Sequence, residues 1–411
     1  MAVNSKRLEK TLKELACFGA LPDGGTTRLS YSREFLAAQE YLRQQMLAVG
    51  MEVKTDAVGN LIGTYKGKNE QLPAVMSGSH LDTVPSGGNY DGVLGIVSAL
   101  EVARSWQEEG FVPQRSLKVI ATVEEEGTAF GMACFGVRVC SGEFKNKQAE
   151  EIKCTGSEQT LADLLMQAGY SKQALREAAA GFADIKAFVE LHIEQGAELD
   201  EQKQQAGIVT HIVGYDRLHL TLIGEGNHAG TTAMHRRRDA VAAGAEIVLG
   251  MRDLARNDKR FVATVGKFTV EPNVPNIVPG KVHLCIETRS YADEILQEVR
   301  GKVLKLVEQA AGNNDVQVIT DGDFHVSAVP LNQDIINAAV SEAERLNLKY
   351  IKLPSWAGHD AQIIAGSVPA GMIFVPSQNG ISHAKEEFTS IEDIFSGTEL
   401  LEAVLRRLTS A

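Results

Sequence analysis

Four apolar runs in this chain each lead into polar residues of metal-ligating type, and that repeated junction limits the possible folds more than any other feature. Ala74-Val75-Met76-Ser77-Gly78 leads into Ser79-His80-Leu81-Asp82-Thr83, and the run 117–123 leads into Glu124-Glu125-Glu126. Ala187-Phe188-Val189-Glu190-Leu191 leads into His192-Ile193-Glu194-Gln195, and Met372-Ile373-Phe374-Val375 leads into a loop, 376–387, that carries His383. Short apolar runs bounded by turn signals read as strands buried on both faces. Such strands belong to a parallel sheet covered by helices, where ligands bind beyond the C-terminal strand ends. The polar clusters are therefore expected at one sheet edge. Three consecutive carboxylates repel one another, and a cation at that edge offsets the repulsion.

The remaining periodicity fills in the architecture. A glycine-rich turn, Gly87-Gly88-Asn89-Tyr90-Asp91-Gly92, comes after the first cluster and precedes a helical period over 93–106. Upstream are a helix over 32–50 and a hairpin of 52–56 with 61–65 around Gly59-Asn60. Residues 142–185 are charged and helical, with Leu161, Leu164, Leu165 and Ala168 at helical spacing and no visible chemistry. Strand 208–223, helix 239–255, strands 261–270 and 280–289, helix 292–311 and strand 316–320 come next in succession. That β-α-β-β-α-β order is the ferredoxin-like split βαβ arrangement. It reads as a domain, 208–325, inserted into one made of 1–207 and 326–411. Helix 334–346, strand 350–353 and a final helix 391–408 complete the first domain. The expected class is α/β: a catalytic domain with a central, mostly parallel sheet flanked by helices, plus the inserted domain.

Composition narrows the partners. With 411 residues and a net charge of -12, the chain is a poor ligand for nucleic acid or an anionic membrane. A small anionic substrate remains open to it through a local Arg. Cys17, Cys134, Cys140, Cys154 and Cys285 are odd in number and form no CxxC pair, which fits a reducing compartment. The N-terminal segment is amphipathic without an apolar leader core, and no apolar run reaches membrane-spanning length. A cytoplasmic protein is expected.

His80, Asp91, Glu126, His192 and His383 offer the nitrogen and oxygen donors expected of paired zinc, manganese or cobalt ions sharing an Asp. Two ions roughly 3.5–4 Å apart hold a bridging hydroxide and polarise a carbonyl. Glu125, beside the ligand Glu126, is then free to move a proton from water to a leaving nitrogen. Asp82, two residues after His80, is positioned to orient that imidazole. Gly224-Glu225-Gly226-Asn227-His228-Ala229-Gly230 is one residue longer than the dinucleotide fingerprint and reads as a turn exposing His228. Arg236-Arg237-Arg238 reads as a solvated run. Serine-nucleophile and phosphate-loop patterns are absent from the sequence.

With these residues assembled, the chain resembles the two-metal amidohydrolases of the M20 peptidase superfamily. Within it the chain looks like the branch containing allantoate amidohydrolase, N-carbamoyl-L-amino acid hydrolase and β-ureidopropionase. The resemblance runs from 24–30 (GGTTRLS) to Ile381-Ser382-His383. It implies two divalent ions, zinc or manganese with cobalt or nickel as alternatives, on His80, Asp91 (bridging), Glu126, His192 and His383. It implies Glu125 as the base and Asp82 as the acid that orients His80. Gln195, His228, Asn276, Arg289, Gly358 and His359 match substrate-binding positions, with Arg289 gripping a carboxylate. It also implies a homodimer through the inserted domain. The turn through Asn89 and the segments Glu271-Pro272-Asn273 and Ala357-Gly358-His359-Asp360 lean toward allantoate as substrate. Carbamoyl amino acids are the nearest alternative; a peptide or acyl-amino acid, and a non-catalytic metal-binding role, are more distant ones. Ala129, Ala233 and Trp356 depart from the family pattern, and Trp356 bears on substrate choice.

Overall fold

Every residue of the strand Ala74–His80 is buried, so both its faces are covered and both its edges are paired. The structure, a computed structural model, describes residues 3–144, 148–171 and 181–410. Among the described residues the strands are β1 (Glu52–Thr55), β2 (Leu61–Tyr65), β3 (Ala74–His80), β4 (Leu117–Thr122), β5 (Ile185–Ile193), β6 (Ala206–Ile212), β7 (Gly214–Ile223) and β8 (Asn227–His228). They continue as β9 (Phe261–Glu271), β10 (Ile277–Val278), β11 (Lys281–Ser290), β12 (Gln317–Val326), β13 (Val329–Pro330), β14 (Tyr350–Ser355) and β15 (Ala370–Val375). One large sheet has the order β1-β2-β4-β3-β5-β15-β6-β13, with β14 paired to β6. Its centre, β4-β3-β5-β15, is parallel, and β2 and β6 join it antiparallel.

Register gathers the strand ends. His80 is level with Thr122, and Phe374 is level with His192. Ser77 lies opposite Val189, and the same register carried onward sets His80 beside His192, with ring centroids 5.8 Å apart. The helix Val93–Glu109 is buried from Val93 through Trp106, because it packs on β3 and under the helices Ser5–Ala16 and Ile391–Ser410. It starts after Gly92 at φ 68°, where a Cβ would lie 2.5 Å from the His80 ring. Only glycine leaves the imidazole that space.

The chain divides into two units: Met1–Thr210 with Leu331–Leu353 and Gly358–Ala411, and His211–Pro330 with Pro354–Ala357. In the second, the antiparallel sheet β12-β7-β11-β9 alternates half-buried and buried residues along β11. Its buried face, including Leu218, Leu220, Val282 and Leu284, packs on Ile247 and Met251 of one helix, Ala240–Asn257, and on Val299 and Val303 of another, Asp293–Asn313.

Two sequence expectations differ from these findings. The strand expected over 208–223 is two strands: β6 stays in the large sheet beside β15, and β7 enters the second sheet. The break is at Gly214, where a Cβ would lie 2.4 Å from Ala328 N and Val326 O, so the backbones nearly touch. The boundaries consequently fall later than 207/208 and 325/326, and Pro354–Ala357 belong to the second unit. Of the segment read as helical over 142–185, residues 145–147 and 172–180 lie outside the described residues; the rest holds helices Gln148–Glu151 and Leu161–Gln167.

The Gly92→Ala substitution forces a methyl group into the His80 ring and is expected to cost about 1–3 kcal/mol. Urea unfolding measures it, and an unchanged midpoint would show that His80 is not packed against this turn.

Candidate metal centre

Asp91 is the hub on which the strand-end residues converge. Its Oδ1 lies 3.3 Å from His80 Nε2 and 3.1 Å from His192 Nε2, and its Oδ2 lies 3.1 Å from His383 Nε2. Glu126 Oε2 is 3.5 Å from His383 Nε2. The structure thus brings all five expected ligands together in the first unit: two donor sets share Asp91, His80-Asp91-His192 and Asp91-Glu126-His383, and two further sets, His80-Glu125-Glu126 and Glu190-His192-His359, overlap them.

The hydrogen atoms make this a site for cations. His80 Nδ1 is 3.0 Å from Asp82 O, and His192 Nδ1 is 2.8 Å from Ile193 O. A carbonyl accepts only, so each Nδ1 carries the proton and each Nε2 presents a lone pair, His80 toward Asp91 and His192 toward Asp91 and the Gly92 N–H, which donates to it at 3.3 Å. Asp91 Oδ1, though buried, makes no hydrogen bond, and neither does Glu126 Oε1. Lone pairs facing a buried carboxylate oxygen at 3.1–3.3 Å are repulsive unless positive charge lies among them. The residues fit divalent ions, which supply that charge.

Without ions, protons must supply it. Burial opposes charge on His80 and His192, but Asp91 and the neighbouring carboxylates outweigh it and raise both pKa values. The hydrogen bond to Asp91 raises His383 to about 9. Burial, with Asp91 adding repulsion, lifts Glu126 to about 7. Burial also pushes Glu125 well above the usual carboxylate range.

The three consecutive glutamates diverge. Glu124 is left-handed at φ 56°, and its Oε1 accepts from Ala129 N at 2.7 Å and Phe130 N at 3.2 Å, which pins the following loop. Glu125 and Glu126 are thereby turned toward the centre. Glu125 Oε2 is 3.9 Å from His80 Nε2, and the Cys134 thiol donates to its Oε1 at 3.6 Å. Asp82 acts differently from the sequence expectation. Its carboxylate is 3.9 Å from His80 Nδ1, too far for a hydrogen bond, and accepts instead from Glu125 N and Glu126 N, both at 3.2 Å. It is the Asp82 carbonyl that orients His80. Gln195 and His383 are also left-handed, at φ 60° and 55°. Strained non-glycine residues of this kind concentrate at functional sites.

Three residues were not singled out in the sequence. Glu387, 4% exposed, accepts from Tyr90 N and Asp91 N at 2.9 and 3.1 Å. Arg28, 1% exposed, donates to the carbonyls of Leu81, Leu15 and Phe18 and so holds the loop after β3. Glu190 accepts from Ser79 Oγ at 2.6 Å and Ala361 N at 3.1 Å beneath the centre. Only Glu190 carried a signal, as a charge within an apolar run.

The expected substrate residues differ in setting. Gln195 Nε2 donates to Asp91 Oδ2 at 2.9 Å, while its Oε1 is buried without a partner. Gly358 is exposed, but His359 is buried, its ring edge-on to His192 at 4.6 Å, and burial with the nearby His192 lowers its pKa. In this structure it supports the His192 ring. His228, Asn276 and Arg289 lie in the second unit. His228 Nδ1 accepts from Gly230 N and Thr231 N at 3.0 and 3.2 Å, so the proton is on Nε2 and the exposed ring offers a donor. Arg237, read as solvated, instead donates to Ala229 O at 2.5 Å and Thr232 O at 3.1 Å and shapes the His228 turn. Ala229 N donates to Asn276 O at 3.0 Å. Arg289 donates to Glu287 Oε1 at 2.8 Å and to Trp356 O at 3.0 Å, so Trp356 adjoins the guanidinium within that unit. No helix among the described residues is long and apolar enough to cross a membrane.

Comparison with known proteins gives a consistent group. Residues 76–407 match the family model described as Peptidase family M20/M25/M40. The chain is 37% identical over 412 residues to an N-carbamoyl-L-amino-acid amidohydrolase of Paenarthrobacter aurescens, covering 98% of each. It is 38% identical over 403 residues to an allantoate amidohydrolase of Escherichia coli (strain K12), covering 98% of this chain and 97% of that one. A crystal structure of a hydantoinase/carbamoylase family amidase from Burkholderia multivorans superposes with a TM-score of 0.93 at 30% identity, covering 100% of this chain and 99% of that one.

Ion uptake must expel the protons held by the raised groups. Affinity for Zn(II) or Mn(II) is therefore expected to fall as pH drops through the range from about 9 to about 7 set by His383 and Glu126. Titration calorimetry in buffers of different ionisation enthalpy checks this: binding should release protons at pH 7, and buffer-independent heats would contradict it.

Proposed function

Because the chain belongs to peptidase family M20/M25/M40, we propose that it is a hydrolase of non-peptide C–N bonds that cleaves a small ureido or carbamoyl compound. The observation that carries this reading is Asp91 Oδ1, buried and without a hydrogen bond beside the Nε2 atoms of His80 and His192, with the Glu125 carboxylate 3.9 Å from His80 Nε2. The relatives' names support the bond class. Two divalent ions are proposed, one on His80, Asp91 and His192 and one on Asp91, Glu126 and His383.

Bound there, the ions supply the charge that acidifies water and polarises a carbonyl. The protein's own groups do the rest. Glu125, its amide fixed by Asp82, accepts a proton from the attacking water. The same carboxyl then returns that proton to the leaving nitrogen. Asp82 holds the Glu125 and Glu126 amides, so base and ligand keep one relative orientation. His228, with its proton on Nε2, is proposed to donate to the carbonyl oxygen as negative charge develops, together with Asn276. Arg289 is proposed to bind the substrate carboxylate, and Gln195, Gly358 and His359 to complete the substrate site. The second unit is read as a ferredoxin-like insert that mediates a homodimer, and the protein as cytoplasmic.

Allantoate is the leading substrate, losing one ureido group as ammonia and carbon dioxide. An N-carbamoyl-L-amino acid is the second reading, favoured by the aromatic setting of Trp356, whose ring meets Tyr291 edge-on at 6.5 Å.

Ammonia release from allantoate, N-carbamoyl-L-amino acids and N-carbamoyl-β-alanine by metal-reconstituted protein separates these readings. A preference for allantoate is expected. A clear preference for a carbamoyl amino acid would replace the substrate and leave the chemistry intact. Glu125→Gln should lower kcat by about 10²–10⁴ while retaining the ions. Turnover at the wild-type rate would remove the assignment of Glu125.

A further inference from the structure

We propose that Glu387 is a positioning residue of the metal centre, and that it acts by drawing the Ser382 hydroxyl proton away from Asp91. The inference rests on the reading of Asp91 as the shared metal ligand.

The Glu387 carboxylate cannot wander. Oε1 is held by the amides of Tyr90 and Asp91, at 2.9 and 3.1 Å, and a Cβ at Gly88 would lie 2.0 Å from that oxygen. With Oε1 pinned, Oε2 faces Ser382 Oγ at 2.7 Å. The same hydroxyl is 3.2 Å from Asp91 Oδ2. A serine hydroxyl carries one proton and can give it to only one of two carboxylates. Hydrogen bonds to a charged acceptor are short, and the difference between 2.7 and 3.2 Å assigns the proton to Glu387. Asp91 Oδ2, which faces His383 and already accepts from Gln195 Nε2 at 2.9 Å, thus keeps its remaining lone pair for an ion. Were the hydroxyl to turn, its proton would occupy that lone pair and compete with the ion on the Asp91-Glu126-His383 side.

Glu387→Gln reverses the arrangement with little change in shape. The two backbone N–H groups require an oxygen at the Oε1 position, so the amide NH₂ takes the place of Oε2 and donates to Ser382. The hydroxyl proton then has Asp91 Oδ2 as its acceptor. Ser382→Ala removes the donor altogether. A purely structural role for Glu387 would make the two substitutions additive; the proton argument makes the second undo the first.

The test measures Zn(II) and Mn(II) affinity and stoichiometry of the full-length protein by competition with a chromophoric chelator, with melting of the metal-free protein as the check on folding. Glu387→Gln is expected to weaken one of two ions roughly 10–100-fold, the usual range for residues that orient metal ligands. Ser382→Ala alone should bind as wild type does, and the double variant should recover most of the loss. Wild-type affinity in Glu387→Gln, or a double variant no better than that single one, would overturn the proposal. If Glu387→Gln does not fold, Ser382→Ala decides: unchanged affinity supports the assignment, and a roughly tenfold loss overturns it. Wild-type protein that binds no divalent ion would instead remove the metal reading beneath it, an outcome distinct from two ions held equally well by every variant.

Discussion

A carboxylate buried among three imidazole rings demands positive charge, and the arrangement around Asp91 depends on that demand. Asp91 is 5% exposed, and its two oxygens face different partners, His80 and His192 on one side and His383 on the other. An uncompensated buried carboxylate costs several kcal/mol. The main chain does not compensate Oδ1: the nearby carbonyls of Asp82 and Ile193 hold the Nδ1 protons of His80 and His192, which turns the other nitrogens inward as acceptors. Either protons on those rings or metal ions must complete the site. This is why the imidazole pKa values rise and why ion uptake couples to proton release.

The other buried acids are stabilised differently, and the contrast separates ligands from supports. Asp82, Glu124 and Glu387 each accept two backbone N–H groups, and Glu190 accepts one with a serine hydroxyl. Such acids fix loops. Asp82 fixes Glu125 and Glu126, Glu124 fixes the turn after them, and Glu387 fixes the turn that presents Asp91. Left-handed backbone at Glu124, Gln195 and His383 turns the strand ends into the site, a strain of order 1–3 kcal/mol each that the surrounding hydrogen bonds hold in place.

Much of this could be read from residue types alone, because one rule governs it: a central parallel strand is apolar on both faces, and the residues just past its C-terminal end lie at the ligand-binding edge. His80 and His192, at the C-terminal ends of β3 and β5, and Glu126 and His383, in the loops after β4 and β15, lie at that edge, and Asp91 is placed by the glycine-rich turn after β3. The break at Gly214 was hidden because β6 and β7 join without a polar gap, although they pair into different sheets. Pro354–Ala357 gave no sign of leaving the first unit. Glu387 was invisible for a physical reason: its partner Asp91 is 296 residues away, and a Glu in a polar loop has no local signature. The same holds for Arg237, whose carbonyl partners become apparent only once the turn is folded. Proximity in sequence misassigned the Asp82 carboxylate to His80, when backbone amides from another strand end claim it.

The most direct test of the account is an anomalous-difference map from crystals grown with Zn(II) or Mn(II). Two peaks are expected, sharing the Asp91 carboxylate: one among His80, Asp91 and His192, and one among Asp91, Glu126 and His383. A single peak away from Asp91, or ions held by Glu190, His192 and His359 instead, would contradict it.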